Sequence, residues 1–318
     1  MIKVLANDGI SASGEKALQN AGFEVITQKV AQEQLANVIN EKDIAVLLVR
    51  SATKVRQNLI DACPGLKMIG RGGVGMDNID VEYAREKGLE VINTPAASSA
   101  SVAELVFAHL FGMVRFLYDA NRQMPLEGES SFKDLKKSYA KGKELAGKTL
   151  GIIGFGRIGQ EVAKRAIGLG MNVVAHDKFV DSVNIDLNFF NGQTMKFEIT
   201  PTSLEEVLKN SDFITLHIPK IGNKPVIGAE EIGMMKDGAG IVNAARGGVI
   251  DEDALMFALE KGKLDYAGLD VFENEPTPSI HLLMQANVSL TPHIGAATLE
   301  AQDRIGTELA DKIATFFN

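Results

Sequence analysis

The pattern Gly-x-Gly-x-x-Gly occurs twice in this sequence, as Gly70-Arg71-Gly72-Gly73-Val74-Gly75 and as Gly154-Phe155-Gly156-Arg157-Ile158-Gly159. The chemistry of such a run is anion binding. Its glycines let a strand turn tightly into a helix, so that backbone N–H groups meet a pyrophosphate at the helix N-terminus. Context separates the two copies. The second follows the apolar run TLGII and opens the helical run GQEVAKRAIGLG, and eighteen residues after Gly159 stands Asp177, closing NVVAHD. A carboxylate there accepts hydrogen bonds from an adenosine ribose and repels the 2′-phosphate of NADP. This copy therefore predicts an NAD site, even with Lys178 beside Asp177 to soften the exclusion. Eighteen residues after Gly75 comes Asn93, and Asp77, Asn78 and Asp80 follow the first copy. That is a poor setting for a pyrophosphate.

A nicotinamide moves a hydride, and a hydroxyl substrate must also lose a proton to a base that works near neutral pH. Five histidines compete for that task. His109 lies in an apolar helical stretch and reads as packed, His281 falls in a surface helical pattern, and His176 sits beside Asp177, near adenosine. His217 ends FITLH and reads as a wall of the cofactor cleft. His293 follows NVSL, is fixed by Pro292, and precedes the small residues Gly295, Ala296 and Ala297, which leave room for a cofactor ring. His293 is the expected base. Glu275 in ENEP is its expected carboxylate partner, with Glu273 close enough to compete. Such a partner favours the imidazolium formed in the reaction. Arg246 ends IVNAA before Gly247-Gly248 and is the expected cation for a substrate carboxylate and C2 oxygen.

Arg50 ends IAVLLVR, with Ser51 next, and Arg71 lies in the first glycine run. Parallel strands offer their C-terminal ends to ligands. Both guanidiniums then share one rim and suit a small, doubly anionic substrate, whose carboxylate end the amides around Gly73 and Val74 are expected to help hold. Either arginine alone would as readily pair with surface carboxylates, because the chain is acidic.

The elements that must position these residues alternate. Apolar runs at 2–6, 23–27, 44–49, 66–70 and 89–93 read as buried parallel strands, and a second series runs through TLGIIG, MNVVAHD, DFITLHI, AGIVNAA, YAGLDV and NVSLTP. Two such series imply an α/β protein with two doubly wound parallel sheets. Thr-Pro at 94–95 and 291–292 marks the crossings between domains: 1–97 with 295–318, and 98–294. A helix is expected over 98–121, opened by a Ser101/Glu104 capping box. Asn191-Gly192, flanked by alternating apolar and polar residues over 183–199, predicts an inserted β-hairpin.

Composition narrows the class. Of 318 residues, 45% are hydrophobic and 23% charged, the balance of a globular chain. With 33 Lys plus Arg against 41 Asp plus Glu, the net charge is −8. That argues against nucleic acid or an anionic membrane as a partner. No apolar run reaches the roughly 20 residues of a membrane helix, and the start lacks a signal-peptide pattern. Cys63 is the only cysteine, so no internal disulfide is expected and a reducing cytoplasm is the simplest home. No metal-binding motif is present, and no metal is expected.

Taken in order, GFGRIG with Asp177, NAARGGVIDE, GLDVFENEP and TPHIGAAT resemble the D-2-hydroxyacid dehydrogenase family over essentially the whole chain. The resemblance implies a Rossmann NAD-binding domain inserted in a flavodoxin-like substrate domain, working as a homodimer. It implies Arg246, Glu275 and His293 as the catalytic set and Asp270 at the nicotinamide carboxamide. The cofactor walls would come from His217, Ile218, Pro219, Ala244, Ala245, Gly295 and Ala296. VRSATKV around Arg50 and GRGGVGMDNID around Arg71 are similar to the branch that oxidises D-3-phosphoglycerate to 3-phosphohydroxypyruvate. Ala96-Ala97-Ser98-Ser99 departs from the asparagine-containing run often found there, and 183–199 is longer than the compact family form. The regulatory domain of longer relatives would be absent after Asn318, so serine feedback through it is not expected. Two rivals stand: a hydroxypyruvate or glyoxylate reductase of the same family, and an NAD-responsive protein-binding scaffold, against which the intact catalytic set argues.

Overall fold

The computed structural model describes residues 1–222 and 224–317. The chain divides into two compact units, Met1–Ser101 with Ala296–Asn318, and Val102–Gly295.

In the first unit the apolar runs form β1 (Lys3–Ala6), β2 (Glu24–Ile26), β3 (Ile44–Val49), β4 (Met68–Arg71) and β5 (Glu90–Asn93). All pair in parallel, in the order β2-β1-β3-β4-β5. Side chains alternate across a strand, so each run feeds two cores. Leu5, Leu47 and Ile69 enter one, and Val4, Val46 and Met68 the other. The helix Leu299–Phe317 covers the second with Ile305, Leu309 and Ile313, spaced four apart on one helical face. Strand order reverses beside β1 and β3. In a doubly wound sheet, the crevice beyond the C-terminal ends of such strands is the ligand position. Asp8 lies just past β1, Arg50 just past β3, and Arg71 ends β4.

The second unit holds β6 (Thr149–Ile153), β7 (Asn172–His176), β8 (Val183–Asn188), β9 (Thr194–Ile199), β10 (Phe213–Leu216), β11 (Ala239–Asn243), β12 (Leu264–Leu269) and β13 (Val288–Leu290). Six of them make one parallel sheet in the order β13-β12-β11-β10-β6-β7. Its reversal falls between β6 and β10, which places the second glycine run at the switch point. The remaining two strands are the expected hairpin, antiparallel from Val183↔Ile199 to Asn188↔Thr194. Phe189 accepts from the Gly192 N–H, and Gly192 has φ +81°, so the loop is a three-residue turn closed by a glycine bulge. Ile185 is buried, and Val183, Leu187, Phe197 and Ile199 pack beside it on the Rossmann core. The alternation that predicted the hairpin is the alternation that attaches it.

The expected single helix over 98–121 is two helices, Ser99–Val114 and Leu117–Glu127, bent by 54°. Phe116 between them is left-handed, with φ +54°. The Val114 carbonyl takes the Lys143 N–H, and the Phe116 ring packs on Tyr139 and Tyr266. Tertiary partners thus override local helix propensity. The capping box does not form either. Ser101 lies inside the helix and meets Thr298 Oγ1 at 2.8 Å, while Glu104 pairs with Arg165 at 2.7 Å. Among the described residues, no single helix is long and apolar enough to cross a membrane.

Candidate active site

The second glycine run turns β6 directly into the helix Arg157–Gly168, with Gly156 at the N-cap and no side chain capping it. Gly154 has φ +95°, and a Cβ on it would sit 2.6 Å from the His217 carbonyl oxygen. A Cβ on Gly159 would lie 2.2 Å from the Gly154 carbonyl oxygen. Both positions admit only glycine. Nothing lies within 4 Å of a Cβ on Gly156, so the helix end is open where a pyrophosphate would rest. The Phe155 N–H donates to Asp177 Oδ2 at 2.6 Å, and the Phe179 N–H to Oδ1 at 2.8 Å. The carboxylate therefore stands beside the glycine turn with acceptor capacity left for a ribose. His217 Nε2 meets Thr215 Oγ1 at 3.0 Å, whereas its Nδ1 is buried without a partner among the described residues. Burial drives its pKa down to about 3, so the ring is neutral. An uncapped helix end, a carboxylate with spare acceptor capacity beside the glycine turn and an orphaned buried imidazole nitrogen together fit a dinucleotide. By contrast, the first glycine run leads into a loop, and the next helix, Val81–Glu86, begins only after it.

His293 and Glu275 meet directly, Nδ1 to Oε2 at 2.8 Å. Glu275 Oε1 is fixed by the Phe272 N–H at 3.0 Å. Its competitor Glu273 turns away and accepts from the Glu252 N–H at 3.3 Å, so geometry separates the two candidates. The Glu252 carboxyl, close to both, is pushed up mainly by burial. His293 has φ +55°, a strained conformation for a residue with a side chain. Asp270 holds the turn around it. Its Oδ1 accepts from Thr291 Oγ1 at 2.6 Å and from the Ile294 N–H at 2.8 Å, and its Oδ2 from the Gly295 N–H at 2.8 Å. A carboxylate accepts about four hydrogen bonds, so one position remains for an external donor. A cavity of about 370 Å³, lined by Phe272, Leu283 and Leu290 among others, opens beside His293 and Glu275.

Arg246 follows β11 on a loop built by the buried Asn243, whose side chain donates to the Arg246 carbonyl and accepts from the Ala245 N–H. A Cβ on Gly247 would lie 1.8 Å from the Phe272 carbonyl oxygen, so this loop presses against the one that holds Glu275. Arg246 Nη1 donates to the Ala245 carbonyl at 2.7 Å. Ala244 is buried, and Ile218 and Pro219 follow His217 out of β10.

In the first unit, Arg50 and Arg71 flank Gly72 and Gly73. A Cβ on Gly72 would be 3.6 Å from Arg50 Cγ, and one on Gly73 would be 1.8 Å from Arg71 Nη1. The Arg50 guanidinium has no hydrogen bond or ion pair among the described residues. One expectation is corrected: the Gly73 N–H is committed to Thr94 Oγ1 at 2.8 Å and is not offered to a ligand, which leaves the Val74 N–H. The bonds that shape this rim join residues far apart in sequence. Asp8 accepts from the Arg50 and Thr53 N–H groups, and Asn78 donates to the Arg50 and Thr53 carbonyls, fixing the loop that carries Ser51. The available signal was Asp8 immediately past β1, on the same rim.

Residues 107–295 match the family described as "D-isomer specific 2-hydroxyacid dehydrogenase, NAD binding domain". The chain is 45% identical to a hydroxypyruvate reductase from Thermotoga maritima, over 98% of this chain and 97% of that one. It is 44% identical to a D-3-phosphoglycerate dehydrogenase from Methanocaldococcus jannaschii, over 98% of this chain but only 57% of that longer protein. Among solved structures, a glyoxylate reductase from Paecilomyes thermophila aligns over 98% of this chain and 94% of its own, at 30% identity and a TM-score of 0.79.

Proposed function

This chain belongs to the D-isomer specific 2-hydroxyacid dehydrogenase family and is an NAD-dependent oxidoreductase; on that premise we propose that it oxidises D-3-phosphoglycerate to 3-phosphohydroxypyruvate, the first step of serine synthesis. The observation that carries the phosphorylated substrate is Arg50, a guanidinium without a protein partner among the described residues, at the switch point of its sheet and beside Arg71. An unpaired cation there is poised for a dianion.

Bound NAD supplies the hydride acceptor. Gly154, Phe155, Gly156, Arg157, Ile158 and Gly159 would hold its pyrophosphate end, and Asp177 would receive the adenosine ribose. His217, Ile218, Pro219, Ala244, Ala245, Gly295 and Ala296 would line its nicotinamide end, and the remaining acceptor position of Asp270 would be open to its carboxamide. His293 takes the C2 hydroxyl proton through Nε2, because Nδ1–H is given to Glu275. Arg246 neutralises the substrate carboxylate and polarises the C2 oxygen. Arg50, Ser51 and Arg71 receive the phosphate, and the Val74 N–H supports the carboxylate end.

Arg50→Ala tests the substrate. KM for 3-phosphohydroxypyruvate should rise at least about 30-fold, as expected for losing a charge-assisted contact worth about 2 kcal/mol, and KM for hydroxypyruvate should change little. Equal effects on both would show that Arg50 does not read phosphate. A second reading is favoured by the nearly full-length match to the Thermotoga protein: hydroxypyruvate reduction with the same NAD site and the same His293–Glu275 pair. We further read the protein as a cytoplasmic homodimer. Phe111, Leu117, Tyr118, Met124 and Leu126 lie exposed along the bent helix pair, an apolar surface that a second copy would cover. Light scattering at the mass of one chain would end that reading.

A further inference from the structure

The helix Ser99–Val114 carries His109 into the interior of the second unit, where it is 2% exposed. Nothing in the reaction above uses it. Both ring nitrogens are nevertheless engaged: Nδ1 lies 2.8 Å from Ser289 Oγ and Nε2 lies 3.1 Å from Thr291 Oγ1. Ser289 and Thr291 are two residues apart, on one face at the end of β13.

The direction of the bonds follows from their far end. The Asp270 carboxylate only accepts, so the Thr291 hydroxyl must spend its one proton on it, at 2.6 Å. Thr291 Oγ1 can then only accept from His109, which places the ring proton on Nε2. Nδ1 is left as an acceptor and takes the Ser289 hydroxyl proton. A single donor chain runs Ser289 to His109 to Thr291 to Asp270. Asp270 also takes the Ile294 and Gly295 N–H groups, while the His293 N–H donates to the Thr291 carbonyl at 3.1 Å. His293 is thus clamped from both sides in its left-handed conformation. Burial lowers the His109 pKa, with Asp270 pulling weakly the other way, so the ring keeps the single proton that this chain needs. The space is made for it: a Cβ on Gly268 would come 2.9 Å from His109 Cβ.

We infer that His109 is a positioning residue, which orders the Thr291–Gly295 turn through Thr291 and Asp270 and so aims His293. This rests on reading His293 as the base, and the test separates the two. His109→Leu should lower kcat at least about tenfold, with KM and NADH affinity within about twofold, and speed amide exchange at Ile294 and Gly295. His109→Gln, whose amide still donates to Thr291, should restore most of both. A His109→Leu enzyme with wild-type kcat, beside an inactive His293→Ala, would overturn the positioning role. So would a glutamine variant as impaired as leucine. Full activity in His293→Ala would instead remove the base reading, while the exchange result still reports on the brace. If His109→Leu does not fold, Thr291→Val against Thr291→Ser carries the same test, with loss expected only in valine.

Discussion

Glu275→Gln keeps the shape of the side chain but leaves one acceptor oxygen where the structure uses two. Glu275 Oε1 takes the Phe272 N–H at 3.0 Å and Oε2 takes His293 Nδ1–H at 2.8 Å. With its oxygen toward Phe272, glutamine turns its NH₂ to Nδ1, which must then accept. The ring proton moves to Nε2, and the base is lost. With its oxygen toward His293 the tautomer survives, but the NH₂ faces the Phe272 N–H, and two opposed donors cost about 1–3 kcal/mol. The charge that stabilises the imidazolium disappears in either case. Two unit charges at 4 Å are worth about 1 kcal/mol in water and about 4 at an effective dielectric of 20. The side chains here are 47% and 36% exposed, which places this pair near the lower end, at about 1–2 kcal/mol. The sum, about 2–5 kcal/mol, lowers kcat roughly 30- to 5,000-fold. Steady-state NADH absorbance measures it, and NADH fluorescence titration should show unchanged cofactor affinity. A kcat within threefold of wild type would refute the tautomer reasoning. A loss confined to cofactor binding would refute the assignment of Glu275.

Asp177→Asn should weaken NADH use and narrow its advantage over NADPH by at least about tenfold in kcat/KM, because it removes the charge that excludes a 2′-phosphate. An unchanged ratio would exclude Asp177 from cofactor choice. His217, with a folded pKa of about 3 against about 6.5 in the unfolded chain, binds its proton only on unfolding between those values. Stability from this group is therefore full above pH 6.5 and falls as pH drops toward 3, by about 1 kcal/mol between pH 6 and 5. Urea melts of wild type against His217→Gln should show that difference in slope, and parallel profiles would contradict it. Chelator treatment should leave turnover unchanged, and a loss restored by a divalent cation would contradict that.

What was legible in the sequence follows the range of the forces involved. Asn191-Gly192 between alternating residues specified its hairpin because turn and register are local. The positions of Arg50, Arg71, Arg246 and His293 at or just past strand C-terminal ends were legible because those strand ends are encoded locally by apolar runs. The helix break at Phe116 was not legible: it depends on Lys143, Tyr139 and Tyr266, which only the folded chain brings near. Glu273 and Glu275 were indistinguishable by spacing and separate only through their bonds to Glu252 and His293. His109 read as plain core because its partner Thr291 lies 182 positions away. The Gly73 amide looked available for the same reason, since Thr94 reaches it from the next strand's end.

The most direct measurement follows NADH absorbance as the purified protein meets 3-phosphohydroxypyruvate, with hydroxypyruvate, glyoxylate and 2-oxoglutarate in parallel. A strong preference for the phosphorylated keto acid in kcat/KM is the expected result, and it would give Arg50 and Arg71 their task. Preference for an unphosphorylated acid would contradict the substrate while keeping the His293–Glu275 pair, and no turnover on any of them would contradict the enzyme itself.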